Sequence, residues 1–169
     1  MADDKVVGDK AAGNKGQSRA LGRSAARLAA VQALYQLAGA DAAPETVIQE
    51  FISFRIGKEL EGFQYPEADE GHFKSVVAGA VERRGELDTM IGEALAEGWT
   101  VQRLGQLMRS LLAAAAFELV GRPDVPVRVI INEYVELARD FYDDKEVAFV
   151  NGVLDHLAKR ARPGELPER

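Results

Sequence analysis

The sequence predicts an all-α fold, a bundle of six or seven helices. Apolar residues recur with the 3.6-residue period of an amphipathic helix along most of the chain, and no segment shows a convincing period of two. Of the 169 residues, 47% are hydrophobic but only 7% are aromatic. Alanine supplies much of this apolar content and has the highest helix propensity. The length and the apolar share are sufficient for one domain with its own core.

The first helix is predicted to begin at Ser18 and to end near Gly39. Leu21, Leu28 and Tyr35 recur every seven residues along it and predict the stripe that faces the core. The later helical runs show the same periodicity and are separated by Gly and Pro. They cover residues 44–56, 69–84, 87–95, 101–120, 126–141 and, for the last, 147 until Pro163.

Three details of these later helices are predicted from single residues. The runs 69–84 and 87–95 form either one long helix or two. Residues 62–66 are expected to be a loop, because Gly and Pro interrupt the helical pattern there. Thr100 is a candidate N-cap for the run that follows it.

The charges divide the chain into a basic N-terminus and an acidic body. Residues 1–27 contain six Lys or Arg and three Asp, a local charge of +3, which leaves −9 for the rest of a chain with a net charge of −6. Residues 1–17 have few large apolar groups and are predicted to be a disordered basic tail. We expect one helical domain over 18–162 and a disordered C-terminus over 163–169.

The residue content argues against several functional classes. Cysteine is absent, which excludes disulfides, Cys-ligated metals and thiol nucleophiles. The N-terminus lacks the apolar segment of a secretory signal and no stretch is long enough to cross a membrane, so we expect a cytoplasmic protein without a membrane role. Phosphate-loop and hydrolase motifs are missing, and His72 and His156 lie far apart. Glu133 and Glu136 are typical of a solvated helix face. We therefore expect no enzymatic activity, no cofactor and no bound metal.

Three arginines of the first helix indicate a binding surface. Arg19, Arg23 and Arg27 are spaced i, i+4 and i+8, so they span only about 80° of the helix surface, roughly opposite the leucine stripe. The guanidinium group is always charged, binds phosphate through two hydrogen bonds and stacks on bases. The row is therefore predicted to face solvent and to bind RNA; the alternative is an ordinary solvated helix face.

Three stretches make the chain recognisable: RSAARLAAVQALYQLAGA, LMRSLLAAAAFELVGRPDVPVRVIINEYVELARDF and FVNGVLDHLAK. In this order and spacing they resemble the NusB family of bacterial transcription antitermination factors over residues 19–159. The resemblance implies an all-helical fold of two small bundles without catalytic activity. It also implies binding of boxA-type single-stranded RNA in ribosomal RNA leader transcripts together with NusE, a ribosomal small-subunit protein. That complex joins other Nus factors on RNA polymerase and suppresses premature termination.

The resemblance also assigns RNA-binding positions. They are Arg19, Arg23, Arg27, Gln32, Tyr35, Lys145 and Phe149. Ser24 and Ala25 stand where many relatives have arginine, so we expect weak RNA binding by the protein alone. For two of these residues the alternative is a ring that belongs to the core. The ring of Tyr35 shares the leucine stripe, and Phe149 lies beside the buried face of its helix.

The acidic body predicts a second partner. RNA-binding ribosomal proteins are typically basic, so an acidic surface away from the arginine row favours docking of one. The resemblance places the NusE contact on the helices over residues 101–120 and 126–141, without naming single residues. The alternative function is a helical protein–protein adaptor without RNA binding, in which the arginines bind an acidic protein.

Overall fold

The computed structural model describes residues 3–167, with side chains described for 16–167, and it confirms the predicted all-α fold. The chain forms seven α-helices within this range. They are α1 (Asp3–Gly39), α2 (Pro44–Phe54), α3 (Glu70–Glu82), α4 (Arg84–Ala94), α5 (Gln106–Gly121), α6 (Val127–Phe141) and α7 (Asp144–Ala161). A short 3-10 helix, Val101–Arg103, precedes α5.

Helix α5 is the centre of the packing. It contacts α1, α3, α4, α6 and α7. Helices α1, α2 and α3 contact one another, whereas α7 contacts both α4 and α6, so α5 is shared by two small groups of helices. The ring of Phe117 on α5 lies directly over Gly79 of α3 and Gly121. A β-carbon at either glycine would overlap this ring, so the two glycines set how closely α3 and the end of α5 approach Phe117.

The core face of α1 differs from the predicted one. Leu21 is 70% exposed, Tyr35 is 52% exposed and Leu28 is only partly buried, so the prediction that their stripe faces the core is wrong. The buried face is formed instead by small and medium-sized residues: Ala26, Ala29, Ala30, Val31, Ala33 and Leu34. Alanine side chains allow the backbone of α1 to lie close to α3 and α5, and this close approach determines which face is buried.

A short β-hairpin corrects the expectation that the chain has no strands. Strands β1 (Glu59–Leu60) and β2 (Phe63–Gln64) pair antiparallel between α2 and α3, partly within the segment predicted to be a loop. The turn residues Glu61 and Gly62 have φ of 52° and 81°, the positive values that a two-residue type I′ turn requires. Strands of two residues are too short to show a period of two in the sequence.

The boundaries around α3, α4 and α5 settle three further details. The chain breaks at Arg83, so the runs 69–84 and 87–95 form two helices rather than one. Thr100 precedes the 3-10 helix, but its side chain makes no capping hydrogen bond. Helix α5 begins at Gln106, five residues later than predicted, with Gly105 as its N-cap residue.

The segment after α7 packs against the body, whereas disorder is expected from residue 163. Arg162 donates hydrogen bonds to the backbone carbonyls of Glu118, Leu119, Arg122 and Val125, and thereby caps the C-terminal end of α5. Glu165 accepts a hydrogen bond from the backbone N–H of Val127, and Leu166 packs against the core. Residues 168–169 lie outside the described part of the chain.

At the other end, α1 is helical from Asp3, fifteen residues before the predicted start at Ser18. The side chains of residues 1–15 lie outside the described part, so the disorder expected of residues 1–17 stays a prediction. Gly16 to Leu21 are exposed. Among the described residues no helix is long and apolar enough to cross a membrane.

Candidate nucleic-acid interface

Arg19 and Arg23 lie near the first described side chains of α1, beside a groove between this helix and the start of α6. Val129 and Glu133 of α6 line the other side of this groove. Arg19 is exposed, as predicted. The Arg23 side chain is 23% exposed, and its Nε lies 3.7 Å from Oδ2 of Asp69 without a hydrogen bond. Because this ion pair is long and partly solvated, the Arg23 guanidinium remains accessible from the groove.

Arg27 does not face solvent, and this part of the prediction is wrong. The residue is 2% exposed. Its Nε and Nη2 donate to the two carboxylate oxygens of Glu118 at 2.9 and 3.0 Å, and Nη1 lies 3.7 Å from Glu133. The two parallel hydrogen bonds occupy the fork that the prediction reserved for a phosphate. The arginine row therefore consists of two accessible members and one buried member.

Glu118 holds this buried cluster together. His72 Nε2 lies 2.9 Å from one carboxylate oxygen, and the Tyr134 hydroxyl donates to the other at 2.5 Å. Burial alone would raise the pKa of Glu118, but the hydrogen bonds of His72 and Arg27 outweigh it and lower this pKa to about 2. Burial and the Glu118 charge raise the pKa of Tyr134 well above its ordinary value, so the hydroxyl stays protonated and able to donate.

Gln32 and Tyr35 lie farther along α1. Tyr35 is sixteen residues beyond Arg19, about 24 Å along the helix axis, and roughly 160° around it. Tyr35 is exposed, so the alternative that its ring is buried in the core is wrong. Gln32 is half-buried, and the neighbouring Gln36 donates to Glu50 of α2. These two residues and the arginines therefore face different directions from one helix.

Lys145 and Phe149 lie one turn apart on α7. Lys145 is exposed, whereas Phe149 is partly buried and packs against the core. The Phe149 ring lies 6.5 Å from that of Trp99, at an interplanar angle of 48°. Phe149 therefore combines both alternatives that the sequence left open, since one part packs and another part remains accessible. Helix α6 contacts both α1 and α7, so it connects the helix that carries Lys145 and Phe149 to the helix that carries the arginines.

Glu118, which binds Arg27, and His72 and Tyr134, which contact Glu118, were not among the residues predicted to form the site. One signal for Glu118 was present, because it is the only acid in the apolar run from Leu111 to Val120. A carboxylate on a buried helix face requires a cation or several hydrogen-bond donors. Nothing in the sequence shows that Arg27 supplies the cation.

The model of the NusB family matches residues 24–159. The chain belongs to the NusB family. It is 42% identical over 165 residues to the transcription antitermination protein NusB of Rhodopseudomonas palustris, covering 98% of each chain. It is 47% identical over 140 residues to that of Sinorhizobium fredii, covering 83% of this chain and 88% of the relative.

Solved NusB structures agree with the fold. NusB of T. maritima superposes with a TM-score of 0.70 at 28% identity, covering 85% of this chain and 94% of that one. A structure of NusB and NusE in complex with dsRNA matches with a TM-score of 0.61 at 26% identity, covering 81% of this chain and 96% of that one. Arg27, Glu118 and Phe149 lie inside the NusB match, whereas Arg19 and Arg23 precede it.

Proposed function

We propose that this protein is a transcription antitermination factor that binds boxA-type single-stranded RNA of ribosomal RNA leader transcripts together with NusE. The observation that carries this proposal is the shared fold with NusB bound to NusE and RNA, at a TM-score of 0.61 over 81% of this chain. The near full-length similarity to the transcription antitermination protein of R. palustris supports the same process.

Within this function, cations, aromatic rings and one amide side chain of α1 and α7 contact the RNA. They are Arg19, Arg23, Gln32, Tyr35, Lys145 and Phe149. Exposed guanidinium and ammonium groups bind the phosphates, and the rings of Tyr35 and Phe149 stack on bases. Arg27 is excluded from direct contact because both oxygens of Glu118 occupy its guanidinium. Its role is to fix α1 against α5.

NusE is the protein partner in this proposal, and other Nus factors and RNA polymerase are reached through the complex. The chain carries a net charge of −6, which favours a basic ribosomal protein as partner. The protein acts by binding rather than by catalysis, in the cytoplasm where transcription takes place. With only two accessible arginines in the row, affinity for RNA is weak without NusE.

The proposal is tested by fluorescence anisotropy of an end-labelled boxA-like RNA, titrated with the protein alone and in the presence of NusE. We expect weak binding alone, tighter binding with NusE, and weaker binding of a scrambled sequence. A duplex of the same sequence distinguishes single-stranded from double-stranded recognition. Formation of a complex with NusE that does not bind the RNA would support the adaptor function instead, and an RNA affinity that NusE leaves unchanged would contradict cooperative binding.

A further inference from the structure

Trp99 is a half-exposed aromatic residue in the connection between α4 and the 3-10 helix. Its exposed fraction is 48%, and it is the only tryptophan of the chain. The guanidinium carbon of Arg103 lies 4.9 Å from the centre of its ring, within the range of a cation–π contact. Arg103 Nη1 also donates to the carbonyl of Gly98 at 2.8 Å, which fixes the guanidinium over the indole.

The same tryptophan adjoins the aromatic end of the proposed RNA site. Its ring centre is 6.5 Å from that of Phe149, and Lys145 lies one turn before Phe149 on the same side of α7. Two aromatic rings are thus flanked by two exposed cations, contributed by segments that are more than forty residues apart in sequence. The tertiary fold alone creates this arrangement.

This arrangement matches the chemistry of a single-stranded nucleic acid. Bases stack on aromatic rings and on guanidinium planes, and the adjoining cations bind the phosphates between them. We propose that Trp99, with Arg103, is a second base-stacking position beside Phe149, so that the two rings hold neighbouring bases of the RNA. The inference rests on the proposed function and extends its binding site beyond α1 and α7.

The single tryptophan makes this contact directly measurable. In a titration with boxA-like RNA in the presence of NusE, anisotropy of the labelled RNA reports binding, and Trp99 emission in a parallel titration reports stacking. Because NusE could contribute its own fluorescence, the Trp99→Phe variant provides the background that is subtracted. We expect RNA to change Trp99 emission and to protect it from acrylamide, with the same midpoint as the anisotropy.

Substitutions test whether the contact contributes to affinity. Trp99→Leu keeps an apolar side chain over Phe149 but cannot stack, and it should weaken RNA binding by about fivefold to more than 100-fold, as for loss of one base stack. Trp99→Phe should retain affinity within about threefold because it keeps a stacking ring. Phe54→Leu is the matched control, since Phe54 is an exposed aromatic on α2, 63% accessible, and should change nothing.

Arg103→Gln tests the cation separately. Loss of one single-strand phosphate contact flattens the log–log salt dependence of affinity by about 0.7, whereas Trp99→Leu leaves this slope unchanged. Melting temperatures of all variants are measured in parallel, and we expect them to lie close to that of the unsubstituted protein.

Two results overturn the inference and differ in what else they affect. If RNA binds in the anisotropy assay while Trp99 emission and acrylamide quenching stay constant, or if Trp99→Leu binds as tightly as the unsubstituted protein, Trp99 is not a stacking residue and the proposed function stands. If no RNA binds with or without NusE, the proposed function fails and this inference fails with it.

Discussion

Arg19 and Arg27 are the same residue type on the same face of one helix, yet their surroundings are opposite. Arg19 is exposed beside a groove, whereas Arg27 is 2% exposed and bound to Glu118. Two turns of helix separate a group that can bind a phosphate from one that stabilises the core. A row of arginines at helical spacing therefore defines a face of the helix, and the packing of other helices decides which members are available for binding.

The largest expected effect is on stability, from Arg27→Met. Removing one partner of a buried ion pair leaves the other charge uncompensated, so we expect the free energy of unfolding to fall by about 3–5 kcal/mol in urea denaturation. Arg19→Met is the matched control, with the same substitution on the same helix. It should change the free energy of unfolding by less than about 0.5 kcal/mol. Equal losses in both variants would show that Arg27 is not the anchor of α1.

The second prediction is a loss of folding stability at low pH. The folded-state pKa of Glu118 is about 2, below its ordinary value of 4.5, so the carboxylate stabilises the fold above pH 4.5 and this contribution is lost as the pH falls towards 2. The difference between these two pKa values corresponds to about 3 kcal/mol of folding free energy. Urea denaturation at several pH values checks it.

The control for the acid prediction is Glu118→Gln, which cannot titrate. Its stability should start lower at pH 7 and fall less steeply below pH 4.5 than that of the unsubstituted protein. Parallel pH profiles of the two proteins would contradict the role assigned to this carboxylate.

A smaller effect, on RNA binding, is expected from Phe149→Leu on α7. Leucine preserves much of the packing of Phe149 against the core but cannot stack, so RNA binding should weaken by about 1–3 kcal/mol without a change in the salt dependence. Phe54→Leu is the control for loss of an exposed ring. If RNA affinity falls only in proportion to a drop in melting temperature, Phe149 is a core residue and not a binding residue.

The smallest effect is expected from Arg19→Gln. It should leave the melting temperature unchanged, flatten the log–log salt dependence of RNA binding by about 0.7 and weaken all RNA sequences similarly. Arg83→Gln, which removes a partly exposed arginine paired with Glu86 between α3 and α4, is the control for a general loss of charge. An Arg19→Gln variant with the original salt slope would remove Arg19 from the interface.

The fold was predictable because its signal is local and repeated. The helical period recurs in every run, and the Gly and Pro residues between runs mark most boundaries. The hairpin was not predictable in this way, because two strands of two residues contain no period. The binding site was predictable only in part: Tyr35 and Lys145 are exposed, whereas the burial of Arg27 depends on Glu118, which lies 91 residues away.

The sequence by itself determined the fold class, the positions of the helices and the two opposite faces of α1, because helical periodicity and propensity act between neighbouring residues. It could not determine which of those faces is buried. The leucines of α1 are larger and more apolar than its alanines, yet the alanine face packs on α3 and α5. Only the tertiary structure decided this, because Glu118, which His72 and Tyr134 hold in place, neutralises Arg27, the buried charge on that face, and alanine permits the close approach of the helices.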